Sequence, residues 1–362
     1  MCTQYYLKNN YIESSRNFSD DYANIDSRKI DMTLSGIYLY KYPSFNVDLK
    51  QLCLYPSKYD ADDLIEKIKR KFNIQNRVIL GPGSNGILQN IIKITLKIGD
   101  NLVTPFYSFN QAEYAATSLG CITRRIKCDN YQIDFDAIEK SIDHKTKIVY
   151  ICNPNNPTGI YVSSKKIIDF AKTISPIVIV DESGIEFTNK KSILDYEDIP
   201  NNIIVLRSFS KAYGLANMRI GYMCCSSEFE KIYIDNTTIN EYSGLSVSFA
   251  LKMLDNYDYV LKNIELINKE KNKIIKQLEE MGIETIKSDS NTIMSKNIID
   301  EQLINELFNE DVSLIKVYDE DDKIHFRIAV QDIESNNLFI EKLKKVKNRM
   351  EGYNENFISN QF

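Results

Sequence analysis

The chain has 362 residues, with 50 acidic and 45 basic side chains, a formal net charge of -5 and seven cysteines. Its scattered charges offer no basic patch for nucleic acid or an anionic membrane, and no apolar run approaches the roughly 20 residues of a membrane-spanning helix. We therefore expect a cytoplasmic protein, without nucleic-acid or membrane partners, whose ligand is a small molecule. The odd cysteine count, without CxxC spacing or a secretory signal, favours reduced thiols and no metal site.

The N-terminal segment differs from the rest of the first half of the chain. Residues 1–48 mix polar and aromatic side chains without a helical period, and predict an arm that belongs in part to a smaller domain. Beyond it, strands alternate with helices, which is typical of a mostly parallel sheet covered by helices. The predicted helices span 61–72, 85–97, 109–119, 133–141 and 163–174, and the predicted strands span 77–80, 101–104, 121–127, 147–152, 177–180, 202–207 and 219–224.

The C-terminal third predicts a second, smaller lobe. A long helical stretch over 246–280 leads into strand, helix, strand, strand and helix between 282 and 349. The sequence therefore predicts an α/β fold with a large seven-stranded sheet domain and a smaller α+β domain. The expected boundaries are 49–258 for the large domain and 259–350 for the small one, and the polar tail 351–362 is expected to be loosely ordered.

Lys211 stands between two hydroxyl side chains, Ser208 and Ser210, and Arg219 follows eight residues further on. The apolar run 202–207 predicts that this lysine lies on a loop at the end of a buried strand, where α/β proteins bind ligands. The hydroxyls and the guanidinium are donors that suit a phosphate monoester, and a lysine amine can form a Schiff base with an aldehyde. Considered alone, the stretch also fits a serine-rich turn with a solvated lysine.

A glycine-rich turn over 81–86 joins a predicted strand to a predicted helix. Backbone amides at such a helix N-terminus bind anions, so the amides of this turn are candidates for a phosphate site. The turn matches neither a P-loop nor the GxGxxG pattern of dinucleotide-binding proteins. Tight packing alone also produces turns of this kind.

Polar side chains follow two further buried strands. The strand 147–152 leads into Asn-Pro-Asn-Asn-Pro over 153–157, whose two Asn-Pro steps fix a rigid turn that could aim an asparagine amide at a ligand's phenolic oxygen. The strand 177–180 ends in the carboxylates of Asp181 and Glu182. A carboxylate at such a position is costly unless it is paired, and the partner could be a protonated pyridine nitrogen, an internal salt bridge or a helix N-terminus.

Together these motifs resemble the fold-type I pyridoxal 5'-phosphate (PLP) enzymes of aminotransferase class I/II, and are most similar to histidinol-phosphate aminotransferases and threonine-phosphate decarboxylases. The resemblance covers about residues 50 to 345, with the motifs in the family's order and spacing. It implies that Lys211 forms the Schiff base with PLP, and that Asp181 pairs with the pyridine nitrogen so that the ring acts as an electron sink. The other implied cofactor contacts are Ser84, Asn85, Ser208, Ser210 and Arg219 at the phosphate, Tyr107 stacked on the ring, and Asn156 at the phenolic oxygen.

The resemblance also implies partners and a reaction. Tyr55 matches a tyrosine that reaches the cofactor phosphate of the partner subunit, which implies a homodimer with shared active sites. Arg327 matches the arginine that binds the substrate α-carboxylate. The implied reaction moves an amino group between a small amino compound, with or without a phosphate, and a 2-oxo acid such as 2-oxoglutarate.

Two departures from the family pattern bear on the reaction. The tyrosine that usually follows the aspartate by three residues is replaced by Gly184, and the N-terminal turn of the substrate pocket is replaced by residues 34–40. Decarboxylation of a phosphorylated amino acid such as phosphothreonine or phosphoserine is therefore an alternative, and a PLP-binding module without turnover is a third hypothesis. Neither His144 nor His325 is predicted to be a catalytic base.

Overall fold

The structure is a computed structural model, in which the described residues are 30–36, 39–45, 53–238 and 241–359. Much of the predicted N-terminal arm therefore lies outside the described residues. The strands, numbered in chain order, are β1 Ile30–Asp31, β2 Arg77–Gly81, β3 Asn101–Pro105, β4 Ile122–Ile126, β5 Thr146–Cys152, β6 Ile177–Asp181, β7 Ile203–Ser208, β8 Gly221–Cys225, β9 Thr292–Met294, β10 Val312–Ser313, β11 Ile315–Tyr318 and β12 Ile324–Ala329.

The helices lie between these strands along the chain, except the last one, which follows β12. Short 3-10 turns lie at Ile185–Phe187, Ile193–Asp195 and Ala216–Met218. The α-helices are Lys58–Phe72, Gly83–Thr95, Gln111–Ser118, Phe135–Ser141, Ser164–Thr173, Ser227–Asn236, Gly244–Asp255, Tyr257–Glu280, Glu301–Asn309 and Ile333–Ser359. Within the described ranges, no helix combines the length and the apolar character needed to cross a membrane.

A seven-stranded sheet in the order β2-β8-β7-β6-β5-β3-β4 forms the centre of the larger lobe. All neighbouring pairs are parallel except the two that β8 makes, with β2 and β7, which are antiparallel. This confirms the prediction of an α/β fold with a large, mostly parallel sheet.

The central strands read as continuous apolar runs because both of their faces are buried. Val149 and Ile151 of β5 belong to one core cluster, whereas Ile148 and Tyr150 of the same strand belong to another. Successive side chains of a strand point to opposite faces, so helices must cover the sheet on both sides.

A second sheet, in the order β11-β12-β9, is antiparallel throughout and forms the centre of the smaller lobe. Strand β1 pairs in parallel with β10, so the described part of the N-terminal segment joins this lobe. The expected domain boundaries stay a prediction.

Two helix predictions differ from the structure. The stretch 246–280 forms two helices, because the helical conformation is interrupted at Asn256, between Asp255 and Tyr257. The last helix continues from Ile333 to Ser359, into the segment that was expected to be a loosely ordered tail.

Candidate active site

A cleft of about 640 Å³ opens at one edge of the seven-stranded sheet. The strand register explains which segments meet there: Cys152 of β5 lies beside Asp181 of β6, and Ser208 of β7 lies beside Gly221 of β8. Gly221 in turn lies beside Gly81 at the end of β2. Among the residues predicted from the sequence, those that line the cleft are Ser84, Asn85, Asn156, Asp181, Ser208, Ser210, Lys211, Arg219 and Arg327.

Asp181 is a buried carboxylate held by two hydrogen bonds. Its Oδ2 accepts from the Tyr150 hydroxyl at 3.0 Å, and its Oδ1 accepts from the backbone N–H of Ser183 at 3.0 Å. Burial, together with the neighbouring Asp181 carboxylate, raises the pKa of Tyr150 well above its ordinary value, so the phenol keeps its proton and donates. These bonds offset part of the cost of burying the charge and fix the carboxylate at the cleft.

Lys211 reaches the same end of the cleft from the loop after β7. Its Nζ donates a hydrogen bond to the Ser183 hydroxyl at 3.2 Å. Cys152 also lines the cleft, but burial and the Asp181 carboxylate raise the pKa of its thiol to about 12, so it remains protonated at neutral pH. The amine is therefore the nucleophile that this part of the site offers.

The three asparagines of the Asn-Pro turn have different partners: two bond other parts of the protein, and one lines the cleft. Asn153 bonds the backbone of Val162 through both its side-chain oxygen and its nitrogen, and Asn155 bonds the Tyr107 carbonyl. Asn156 instead lines the cleft, where its Oδ1 is buried without a partner among the described residues. The turn thus leaves one asparagine for a ligand.

A cradle for an anion lies where the helix Gly83–Thr95 begins. Gly83 has a φ of 78°, and a Cβ there would lie 2.9 Å from Nη2 of Arg219, so the guanidinium packs directly against the start of the helix. Nη1 of Arg219 lies 3.4 Å from the Ser210 hydroxyl. Gly221 permits this packing, because a Cβ there would lie 2.7 Å from the backbone nitrogen of Ser84. Helix N–H groups, a hydroxyl and a guanidinium are together a set of donors that suits a phosphate group.

The opposite wall joins the smaller lobe to the N-terminal segment. Arg327 is buried on β12 and its Nη1 donates to the carbonyl of Thr33 at 2.5 Å. Asn291 donates to the carbonyl of Ser35, and Gln331 to that of Leu34. We call residues 33–36 the strap. Its Gly36 lies against the larger lobe, since a Cβ there would lie 3.0 Å from the backbone oxygen of Ser210.

Two sequence-predicted residues do not line the cleft. Tyr107 packs against Phe106 and Tyr131 beside a separate cavity, and the aromatic side chain that lines the cleft is Phe109, two residues further on. The sequence could not decide among the three aromatic residues of this loop, Phe106, Tyr107 and Phe109. Tyr55 is 97% exposed on the surface, away from the lining of its own chain's cleft.

Sequence reasoning missed further lining residues. They come from five separate segments, which only the fold brings together: Phe109 and Gln111, Cys152, Ser183, Ala216 and Asn217, and Ile315. Leu34, Ser35 and Gly36 also line the cleft, and they belong to the segment that the resemblance assigned to the substrate pocket. Over the described ranges, no group of three His, Cys, Asp or Glu side chains could hold a metal ion.

Behind the cleft, Arg207 is buried between two glutamates. Its guanidinium pairs with Glu182 at 3.1 Å and with Glu186 at 2.9 Å, and it also donates to the Ser192 hydroxyl. Glu182 further accepts from the Ser192 hydroxyl and from the backbone N–H of Ile193. Burial raises the pKa of both glutamates, and the Arg207 charge opposes that rise.

Comparisons of this chain with protein-family models, known sequences and solved structures all find aminotransferases. The family model for aminotransferase class I and II matches residues 35–343. A histidinol-phosphate aminotransferase 2 of Bacillus cereus is 38% identical over 194 residues, which are 52% of this chain and 53% of that protein. The match thus spans about half the length of that relative.

Other matches are longer. A histidinol-phosphate aminotransferase of Caldicellulosiruptor saccharolyticus is 34% identical over 70% of this chain and 74% of its own. The crystal structure of histidinol-phosphate aminotransferase from Sinorhizobium meliloti in complex with pyridoxal-5'-phosphate has a TM-score of 0.78 and 18% identity, and the alignment covers 93% of this chain and 99% of that one. At this identity the structural match supports the fold.

The buried cluster around Arg207 leads to a prediction about pH. Because their pKa values are raised in the folded protein, these glutamates hold their protons more tightly there than in the unfolded chain. They therefore favour folding most below their ordinary pKa of about 4.3, and this stabilisation is lost as the pH rises through the raised pKa values. Arg207→Met removes the opposing charge, so its cost should grow with pH and reach about 3–5 kcal/mol near pH 7. Urea unfolding between pH 4 and pH 8 measures this.

The matched control is Arg77→Met, which removes an exposed arginine paired with Glu230. Its cost should stay below about 1 kcal/mol at every pH. A cost of Arg207→Met that does not change with pH would contradict the electrostatic role of the cluster.

Proposed function

The chain belongs to the aminotransferase class I and II family, and on this basis we propose that it is a PLP-dependent transaminase. It would move an amino group between a small amino compound and a 2-oxo acid such as 2-oxoglutarate. The observation that carries the proposal is the convergence of Lys211, Asp181 and Asn156 on one cleft, beside a cradle for a phosphate.

The cleft fits the cofactor in size and in polarity. Its volume of about 640 Å³ is in the range of small-molecule sites. Oδ1 of Asn85 and Oδ1 of Asn156 are buried without a partner among the described residues. Both atoms are acceptors that need a donor from a ligand or from water, and the N–H groups of the same two side chains would donate to oxygens of the cofactor.

At one end of the cleft, the cradle would hold the phosphate of PLP. The contributing groups are the Arg219 guanidinium, the hydroxyls of Ser208 and Ser210, and the first amides of the helix Gly83–Thr95. Phe109, rather than Tyr107, would cover a face of the ring, because it is the aromatic side chain of this loop that lines the cleft.

At the other end of the cleft, Asp181, Asn156 and Lys211 would each have a separate role in the reaction. When bound, PLP takes up the electron pair left at the substrate Cα. The buried carboxylate of Asp181 would pair with the protonated ring nitrogen, and Asn156 would bond the phenolic oxygen. Lys211 would hold the cofactor covalently through Nζ and, once released by the incoming amine, would take and return a proton at that atom.

Arg327 would bind the anionic group of the substrate. It is the buried cation on the wall opposite Lys211, and a guanidinium matches the geometry of a carboxylate or of a phosphate. The curated relatives above are named for histidinol phosphate, so histidinol phosphate with 2-oxoglutarate is the first substrate pair to test.

A homodimer is part of the proposal. Tyr55 is 97% exposed, and Leu54 and Tyr59 are 69% and 87% exposed, so three large side chains of one segment lie on the surface of the single chain. Such a surface suits a protein interface, and an exposed Tyr55 could reach the phosphate cradle of a partner subunit.

We further propose the domain boundaries and the cellular location that the sequence predicts. The seven-stranded sheet falls within 49–258, and β9 to β12 fall within 259–350, which supports the domain boundaries expected from the sequence. The described cysteines are all free thiols, which supports a cytoplasmic location.

Lys211→Ala tests the assignment of the reactive amine. The protein should bind PLP, and borohydride should trap the cofactor on Lys211, as mass spectrometry of the digested protein can show. Lys211→Ala should give no trapped adduct and should lose more than about 1,000-fold in kcat. Lys190→Ala, which removes a lysine paired with Asp289, is the control and should behave as the wild type. An adduct that persists in Lys211→Ala would end the assignment.

A second experiment separates transamination from the decarboxylation that the sequence also allowed. The PLP-loaded protein is incubated with histidinol phosphate, phosphothreonine or phosphoserine in the absence of any oxo acid. A transaminase should convert its cofactor stoichiometrically to the amine form without releasing gas. Catalytic release of carbon dioxide from a phosphorylated amino acid would instead establish the decarboxylase.

Subunit mixing tests the shared active site. Tyr55→Ala and Lys211→Ala proteins should each be inactive at limiting PLP, but a mixture should recover about a quarter of the wild-type activity. Half of the randomly formed dimers are mixed, and one of their two sites is intact. No recovery, despite exchange of subunits shown by mass spectrometry, would argue against sites shared between subunits.

A further inference from the structure

We propose that Ser183 is a positioning residue for the Lys211 amine. The proposal starts from one contact: Lys211 Nζ donates to the Ser183 hydroxyl at 3.2 Å. Both residues line the cleft, and Ser183 is only 5% exposed. A hydroxyl that is buried beside the reactive amine can limit where that amine points.

Ser183 is itself firmly held. Its backbone N–H donates to Oδ1 of Asp181 at 3.0 Å, so one residue connects the carboxylate and the amine of the site. Its neighbour Glu182 is fully buried and anchored by Arg207 and by the backbone of Ile193. Since the two residues that precede Ser183 are both anchored, its hydroxyl gives Lys211 a well-placed partner.

A hydroxyl is suited to an amine that gains and loses protons. It accepts a hydrogen bond from an ammonium or an amine N–H, and it can also donate to an unprotonated nitrogen. Ser183 can therefore remain bonded to Nζ in both protonation states. When the neutral amine donates one N–H to Ser183, its rotation is restricted and its lone pair is turned away from the serine.

Gly184 keeps this side of the amine open. A Cβ at this position would lie 3.8 Å from Lys211 Nζ and 3.5 Å from the Ser290 hydroxyl, which are ordinary contact distances. A long side chain at 184 would extend from this point into the surroundings of the amine. With glycine there, the hydroxyl beside Lys211 comes from the preceding residue.

The inference rests on the proposed function, and its test separates the two. Attachment of PLP joins Nζ to the aldehyde carbon, and the aldehyde oxygen leaves as water. The rate constant of attachment is measured at saturating PLP by trapping with borohydride, for the wild type, Ser183→Ala and Ser290→Ala. The dissociation constant of PLP is measured in Lys211→Ala, with and without Ser183→Ala, because no covalent bond can form at position 211 there.

We expect Ser183→Ala to slow attachment about fivefold, which corresponds to the loss of one hydrogen bond. Ser290→Ala, which removes a nearby hydroxyl whose bond goes to Asn291, should change the rate less than about twofold. In the Lys211→Ala background, Ser183→Ala should leave the dissociation constant within about twofold, because its effect acts through the lysine.

Three outcomes are decisive. An unchanged attachment rate in Ser183→Ala would overturn the inference. If Ser183→Ala weakens PLP affinity about fivefold in the Lys211→Ala background, the inference is also overturned. Ser183 would then act on the conformation of the turn and not on the position of the Lys211 amine. Absence of a trapped adduct in the wild type would overturn the proposed function itself.

Discussion

The burial of Arg207 between Glu182 and Glu186 is the constraint on which the candidate site depends. A buried guanidinium is tolerable only when its charge is matched and its donors are bonded, so the chain must bring both carboxylates to it. Arg207 precedes Ser208 on β7, and Glu182 follows Asp181 at the end of β6. Neighbouring residues of a strand face opposite sides. The ion cluster behind the sheet therefore fixes the ends of two strands whose other side chains line the cleft.

The sheet itself supplies the second constraint. Because β8 is antiparallel, its first residue, Gly221, lies at the same edge as the last residues of β2 and β7. Absence of a side chain at Gly221 lets the start of the helix Gly83–Thr95 approach the sheet, and Arg219, held at a φ of 49°, turns toward it. The cradle thus combines a helix N-terminus with a cation that is near in space but distant in sequence.

The sequence predicted those parts of the site that sit directly on strand ends. Continuous apolar runs marked the buried strands, and Asp181 and Lys211 follow two of them, so their convergence on one edge follows from a parallel sheet. Loop geometry could not be predicted: it decides that Phe109 and not Tyr107 lines the cleft. The Lys211–Ser183 bond and the hydrogen bonds of the strap were also beyond the sequence, because they depend on contacts between segments far apart along the chain. Likewise, nothing in the helical period marked the break at Asn256.

The strap has a consequence for how a ligand would be recognised. Its carbonyls are bonded by Arg327, Asn291 and Gln331 of the smaller lobe, while Gly36 touches the loop that carries Lys211. A molecule resting on the strap therefore interacts with both lobes through a single short peptide. Selectivity in this cleft would then depend on the backbone path of the strap as well as on side-chain chemistry. Two proteins with the same reactive residues but different straps would accept different molecules.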